Sequence, residues 1–182
     1  AVNTEYTWTN IPYANVWGLE LEGRKELGNV TPALQGFGLS GNVTLIKSEA
    51  RIWEDELQAI RGTDPLHPET RPLFGQSPYI VNAMLTYAND SAKVNAAASF
   101  NIQGQKLLLV TEGGAPDIYQ QPTPTLDLSL SKGFGENVRL RFRARNLLNP
   151  VDRKTYFFND VHYNWLANTR GRTYSLTLSY SI

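Results

Sequence analysis

A strict two-residue alternation limits what this chain can fold into more than any other feature of its sequence. Between Asn137 and Asn146, Val138, Leu140, Phe142 and Ala144 alternate with Arg139, Arg141, Arg143 and Arg145. Successive side chains of a strand point to opposite faces, so this segment is a strand with one apolar and one cationic face. The period recurs. Tyr174, Leu176, Leu178, Tyr180 and Ile182 alternate with Ser175, Thr177, Ser179 and Ser181, and Leu126, Leu128 and Leu130 with Asp127, Ser129 and Ser131. Val94, Ala96, Ala98, Phe100 and Ile102 do the same, as do Trp17, Leu19 and Leu21 against Glu20 and Glu22. Tyr79, Val81, Ala83, Leu85 and Tyr87 line one face of a further strand.

These segments predict eight strands, at 3–11, 14–27, 36–52, 77–88, 91–111, 123–134, 137–157 and 168–182. The fold class is all-β, an antiparallel up-and-down meander. A short helix over 51–61 is the one helical alternative, since Ile52, Leu57 and Ile60 fall on one side.

The connections narrow the architecture. Ala88, Asn89, Asp90 and Ser91 make one tight turn, and Gly133 to Asn137 another. Residues 53–77, 112–122 and 158–168 are long and polar. In a meander, alternate connections lie at opposite ends of the sheet, so all three long ones share an end. Outer-membrane barrels sort their loops this way. A Gly36–Gly41 stretch matches G-x-G-x-x-G, but Val43, Leu45 and Ile46 continue it as a strand rather than a helix. A short-end turn is therefore expected there, not a dinucleotide site.

Composition excludes several classes. Seventeen Lys+Arg balance seventeen Asp+Glu, which argues against a nucleic-acid partner. There is no Cys, so neither disulfides nor thiolate metal sites arise, and His67 and His162 stand apart; no metal or cofactor is expected. No spacing places a base beside a nucleophile, so no catalytic residues are assigned and an enzyme is not expected. The start at Ala1 shows no signal-peptide pattern. No apolar run is long enough for a transmembrane helix, but a mean hydropathy of −0.35 suits a β-barrel as well as a soluble domain.

Energetics assign the faces if the sheet meets lipid. One Arg on the lipid face costs about 2–4 kcal/mol near the midplane. Arg139, Arg141, Arg143 and Arg145 must then face the lumen, with Glu20, Glu22 and Asp127 available as partners, and Val138, Leu140 and Phe142 must face lipid. Aromatic residues near strand ends fit interfacial girdles: Tyr6, Trp8, Tyr13, Trp17, Tyr79, Tyr87, Tyr156, Phe157, Tyr174 and Tyr180.

Four motifs in order resemble a known family. Arg71-Pro-Leu-Phe-Gly-Gln-Ser-Pro-Tyr79 with Asn82 resembles a strand entry in the C-terminal barrel of TonB-dependent outer-membrane receptors. Leu126-Asp-Leu-Ser129, and then Arg145-Asn-Leu-Leu-Asn149, resemble the penultimate hairpin, and Arg170-Gly-Arg-Thr-Tyr174 the entry to the last strand. The likeness covers the chain from about residue 14 onward.

It implies that residues 1–182 are the C-terminal portion of such a barrel, in the outer membrane of a Gram-negative bacterium. Barrels of this family have about 22 strands. The plug domain and earlier strands would lie outside the chain, as would the segment that TonB grips. The function implied is TonB-energised uptake of a scarce ligand such as a ferric siderophore, haem, cobalamin or a glycan. Partners would be outer-membrane lipid, the plug and remaining strands, TonB indirectly, and an extracellular small-molecule or glycan ligand. Ile182 departs from the aromatic residue on which the family ends.

Ligand contacts are expected in the long loops, at Trp53, Arg61, Asp64, Arg71, Tyr119, His162, Tyr163 and Trp165, because aromatic and Arg side chains dominate binding hot spots. Two alternatives stand beside this reading. One is a self-contained eight-stranded outer-membrane barrel with a structural or adhesive role. The other is a soluble β-sandwich binding module.

Overall fold

A computed structural model describes residue 7 and residues 10–158 and 161–181. The strand expected at 3–11 falls almost wholly outside the described residues. The elements are β1 (Ala14–Glu26), β2 (Phe37–Arg51), α1 (Glu54–Arg61), β3 (Thr70–Arg71), β4 (Tyr79–Asn89), β5 (Val94–Gln103), β6 (Lys106–Leu109), β7 (Ile118–Gln120), β8 (Thr125–Phe134), β9 (Val138–Arg145), β10 (Val151–Phe158), β11 (Val161–Thr169) and β12 (Thr173–Tyr180).

The main sheet runs β1-β2-β4-β5-β8-β9-β12, every pair antiparallel, with β3 against the end of β2. The all-β meander is therefore as expected. So is the sorting of its connections. Residues 52–78, 104–124 and 146–172 leave from one end, and 27–36, 90–93 and 135–137 from the other.

The register makes each face continuous across the sheet. On one side, Leu85 pairs with Ala98, Ala98 with Leu128, Leu128 with Ala144, and Ala144 with Tyr174. On the other, Thr86 pairs with Ala97, Ala97 with Ser129, Ser129 with Arg143, and Arg143 with Ser175. The apolar side is uncovered: Trp17 is 66% exposed, Phe142 40% and Leu178 71%. Its aromatics sit near the strand ends. Trp17, Tyr79 and Tyr174 lie toward the long connections, and Phe37, Tyr87, Phe134 and Tyr180 toward the short ones. Phe37 and Tyr87 are in contact across β2 and β4, with ring centroids 4.7 Å apart. Tyr79 and Tyr87 are separated by roughly 26 Å along a strand, which a tilt near 40° reduces to about 20 Å. That approaches the height of the apolar band of an outer-membrane barrel, about 25 Å.

These observations count against the sandwich, whose apolar face would pack on a second sheet, because among the described residues Phe142 and its neighbours stay exposed. They also count against a self-contained eight-stranded barrel, because among the described residues β1 and β12 are the two edges of an open sheet.

Four local expectations need correction. The single strand at 91–111 is two. The chain bends at Gly104, whose N–H donates to the Tyr79 carbonyl, and β6 joins a second sheet ordered β11-β10-β7-β6. The strand at 137–157 is also two. Asn146 and Asn149 adopt left-handed φ of 55° and 47°, which asparagine tolerates better than most residues, and they break β9 from β10. The loops at 112–122 and 158–168 carry strands, β7 and most of β11. The glycine motif is mostly not a turn, since Phe37 to Gly41 lie within β2.

Only Gly36 of that motif lies in the connection, with φ of +84° and an added Cβ 2.3 Å from the Ala88 carbonyl oxygen. Left-handed backbone costs an L-residue about 1–2 kcal/mol before that clash is counted. Gly36→Ala should therefore lower stability by roughly 2 kcal/mol or more in urea titrations. An unchanged midpoint would contradict the turn described here.

Buried apolar residues are few and lie toward the long-connection end. Leu57 and Ile60 of α1 form a cluster with Ile52, and Leu107 of β6 and Ile118 of β7 are buried. The helix begins with Glu54, Asp55 and Glu56 and closes with Arg61, charges that complement its dipole.

Candidate functional site

Two regions carry functional chemistry: the polar face of the main sheet and the group of connections above it.

On the polar face an amide ladder crosses four strands. Asn101 Nδ2 donates to Asn82 Oδ1 at 2.6 Å, Asn82 Nδ2 to Asn42 Oδ1 at 2.8 Å, and Asn42 Nδ2 to Glu20 Oε1 at 3.3 Å. Asn82 and Asn42 each give and accept, so the ladder ties the registers of β1, β2, β4 and β5 together on that face.

Farther along the sheet stands the arginine column of β9. Adjacent guanidinium groups on one strand face are about 7 Å apart. At that distance each neighbouring pair repels by about 0.6 kcal/mol in bulk water, and by roughly 2 kcal/mol at an effective dielectric constant of 20. The acidic partners named from sequence do not relieve this. Glu20 and Glu22 are on β1, at the opposite edge of the sheet. Asp127 accepts the Asn146 N–H at 2.8 Å instead. A recess of about 270 Å³ adjoins Arg145, with Asp127, Asp152 and Arg170 in its wall. A larger one, about 570 Å³, adjoins Arg139 and Arg141 at the short-turn end, with Lys93, Asp90 and Glu136.

The long connections are tied together by one arginine. Arg71 Nη1 donates to Asp117 Oδ2 at 2.9 Å, and Nη2 donates to Glu56. All three side chains are largely buried, at 9%, 13% and 23% exposure. Burial works to lower the pKa of Arg71, but the hydrogen bonds and charges of Glu56 and Asp117 outweigh it and hold the guanidinium charged. Burial pushes the Asp117 carboxyl up, although Arg71 and the Thr111 N–H pull it down. Burial, and then the charge of Asp117, push the neighbouring Tyr119 up as well.

The structure gathers the expected contact residues into two groups. Trp53, Arg61, Asp64 and Arg71 surround α1. Trp53 Nε1 donates to the Asn10 carbonyl at 3.0 Å, Arg61 donates to the His67 carbonyl, and Asp64 meets His67 Nδ1 at 3.1 Å. His162, Tyr163 and Trp165 lie on β11, in the second sheet. Tyr163 stacks on Tyr156 with centroids 5.3 Å apart, His162 lies against Phe157 at 4.9 Å, and Lys154 Nζ sits 5.9 Å over the Trp165 ring. Tyr119 on β7 pairs with Thr155 of β10, so it belongs to the β11 group by its sheet and to the α1 group through Asp117. Glu56, Asp117 and Lys154 were not singled out from sequence. The alternation of Val161, Tyr163 and Trp165 with His162 and Asn164 was the available sign of β11.

No family model and no curated protein matches the chain. Among solved structures, the chain is similar to the ferric yersiniabactin uptake receptor FyuA from Yersinia pestis, with a TM-score of 0.60 and 19% identity over 92% of this chain. The chain spans 23% of that receptor's length, and at this identity the likeness shows the fold alone. The fold class so defined is an all-β antiparallel meander, similar to part of that receptor's β-barrel.

Proposed function

We propose that the chain is the C-terminal wall of an outer-membrane receptor barrel of the TonB-dependent type, with a plug domain and earlier strands lying outside these residues. The observation that carries this reading is the uncovered apolar face that runs over every strand of the meander, backed by a face of amides, hydroxyls and arginines. In water, an exposed apolar surface of this breadth is a liability; in lipid it is the required outer surface. The β12 edge agrees, since it carries neither a charged residue nor a proline to stop it pairing with a further strand. The family motifs add the expectation of uptake of a scarce ligand, such as a ferric siderophore, haem, cobalamin or a glycan, energised through TonB.

The long connections would form the extracellular mouth. Trp53, Arg61, Asp64, His162, Tyr163 and Trp165 are proposed to meet the ligand, with Tyr119 and Arg71 set deeper in the same group. Protease added to intact cells is expected to cut within 53–77 or 112–117 and to spare the turns at 90–93 and 135–137. The protein should fractionate with the outer membrane and migrate differently in gels before and after heating. Cleavage at the short turns, or recovery without detergent, would sink the orientation and the membrane reading respectively.

A further inference from the structure

The apolar face of the meander is not evenly filled. On β5 it carries Ala96 and Ala98, and the residues paired with them are large. Tyr87 and Leu130 flank Ala96, and Leu85 and Leu128 flank Ala98. The difference in size leaves a recess of about 370 Å³, lined almost wholly by carbon. Its walls stand on β4 and β8, two strand spacings or roughly 10 Å apart. A hydrocarbon chain that touches carbon on both sides needs about 7–8 Å between the touching atoms, so the recess takes one chain and not two. From Ala98 to Val94, at the short-turn end of β5, is about 13 Å along the strand. Half of a bilayer's hydrocarbon core is about 15 Å, so the length is that of a chain from one leaflet.

A cation stands at that end of the recess. Lys132 follows Leu130 on the apolar face and pairs with Val94. Its Nζ reaches the edge of the sheet and donates to the Ala92 carbonyl in the turn at 90–93, which uses one of its three protons. Among the described residues it has no carboxylate within ion-pair distance. At this end of the apolar face the charged strand positions are Lys25 and Lys132, and none is acidic. The turn carboxylates Asp90 and Glu136 border the polar recess at Arg139 instead. Lys47, at the long-connection end of the same face, differs in being paired with Glu49 at 2.7 Å.

We infer that this recess holds one anionic phospholipid of the phosphatidylglycerol type, with an acyl chain over Ala96 and Ala98 and its phosphate at Lys132. This rests on the barrel reading, which puts the apolar face in lipid, and goes beyond it. The rest of the face needs only fluid hydrocarbon, whereas a recess one chain wide with a cation at its end selects a molecule and retains it. Cations at a membrane surface attract anionic lipid. A zwitterionic lipid brings an ammonium of its own, so Lys132 favours a headgroup with net negative charge.

The test is lipid retention by the full polypeptide in mild detergent, counted by native mass spectrometry after incubation with equal amounts of phosphatidylglycerol and phosphatidylethanolamine. One phosphatidylglycerol should be retained, with a preference of roughly fivefold over phosphatidylethanolamine. Lys132→Gln should abolish the preference. Ala96→Leu combined with Ala98→Leu fills the recess while keeping the face apolar, and should lower retention of either lipid by roughly fivefold or more. Lys47→Gln should change neither. Retention of no lipid, or of both equally, by the unmodified protein would overturn the inference without recourse to any variant. So would unchanged retention in Lys132→Gln or in the double variant, or an equal loss in Lys47→Gln. The change in gel migration on heating is read on the same samples. If it is present and retention fails, only the lipid inference falls; if it is absent, the barrel reading falls and takes this inference with it.

Discussion

Ala98→Arg is expected to destabilise the inserted protein by about 2–4 kcal/mol, whereas Ser99→Arg, one residue along the same strand, should change little. Both positions lie in the middle of β5. Ala98 pairs with Leu85 and Leu128 on the apolar face, and Ser99 with Met84 and Asp127 on the polar face. An arginine at Ala98 forfeits almost no packing, so its cost is the cost of placing a guanidinium in hydrocarbon. An arginine at Ser99 remains among polar groups and faces the carboxylate of Asp127. The difference corresponds to a roughly thirty- to thousandfold change in the folding equilibrium. Refolding into lipid vesicles, read as the fraction that shifts its gel migration on heating, measures both variants against the parent. Equal tolerance of the two would mean that neither face meets lipid.

The contrast between adjacent residues was legible in the alternation of residues 94–103, because a period of two assigns faces without any knowledge of pairing. The four arginines of β9 could likewise be put on one face from sequence alone. Their partners could not. Asp127 is on the neighbouring strand, yet it spends its carboxylate on the Asn146 N–H, a bond that exists only because Asn146 turns left-handed. The Asn42–Asn82–Asn101 ladder needed the register of three strands, which local pattern does not carry. The second sheet escaped for a different reason. Its strands β7 and β11 lie in stretches that hold Pro, Gly, Asn and Asp, residues that read as loop, and β6 and β10 read as continuations of the strands before them. The Arg71 contacts span 15 and 46 residues, so only the folded connections bring them together.

Those contacts carry the other large expected effect. Arg71→Met should destabilise the packing of the long connections by ~3–5 kcal/mol, because removing one partner of a buried ion pair strands the others. Glu56 and Asp117 would be left facing each other, largely buried, with no cation between them. Hydrogen exchange at the amides of α1 and around Thr111 is the appropriate measurement. It should accelerate strongly while β4, β5, β8 and β9 stay protected, since their backbone bonds are to one another. Asp117→Asn should cost far less. Burial already raises the pKa of Asp117, and an amide there keeps one acceptor oxygen, enough for either the Thr111 N–H or the Arg71 hydrogen bond, and leaves no unpaired charge. The pH dependence has a definite sign. A carboxyl whose folded pKa lies above 3.8 contributes most to stability below its unfolded pKa, and that contribution is lost as pH rises through the folded value. The titration of Asp117 therefore does not open the connections on mild acidification. Arg71, held charged across the accessible range, continues to grip Glu56. Exchange at α1 that is unchanged in Arg71→Met would show that the apolar cluster alone holds the connections in place.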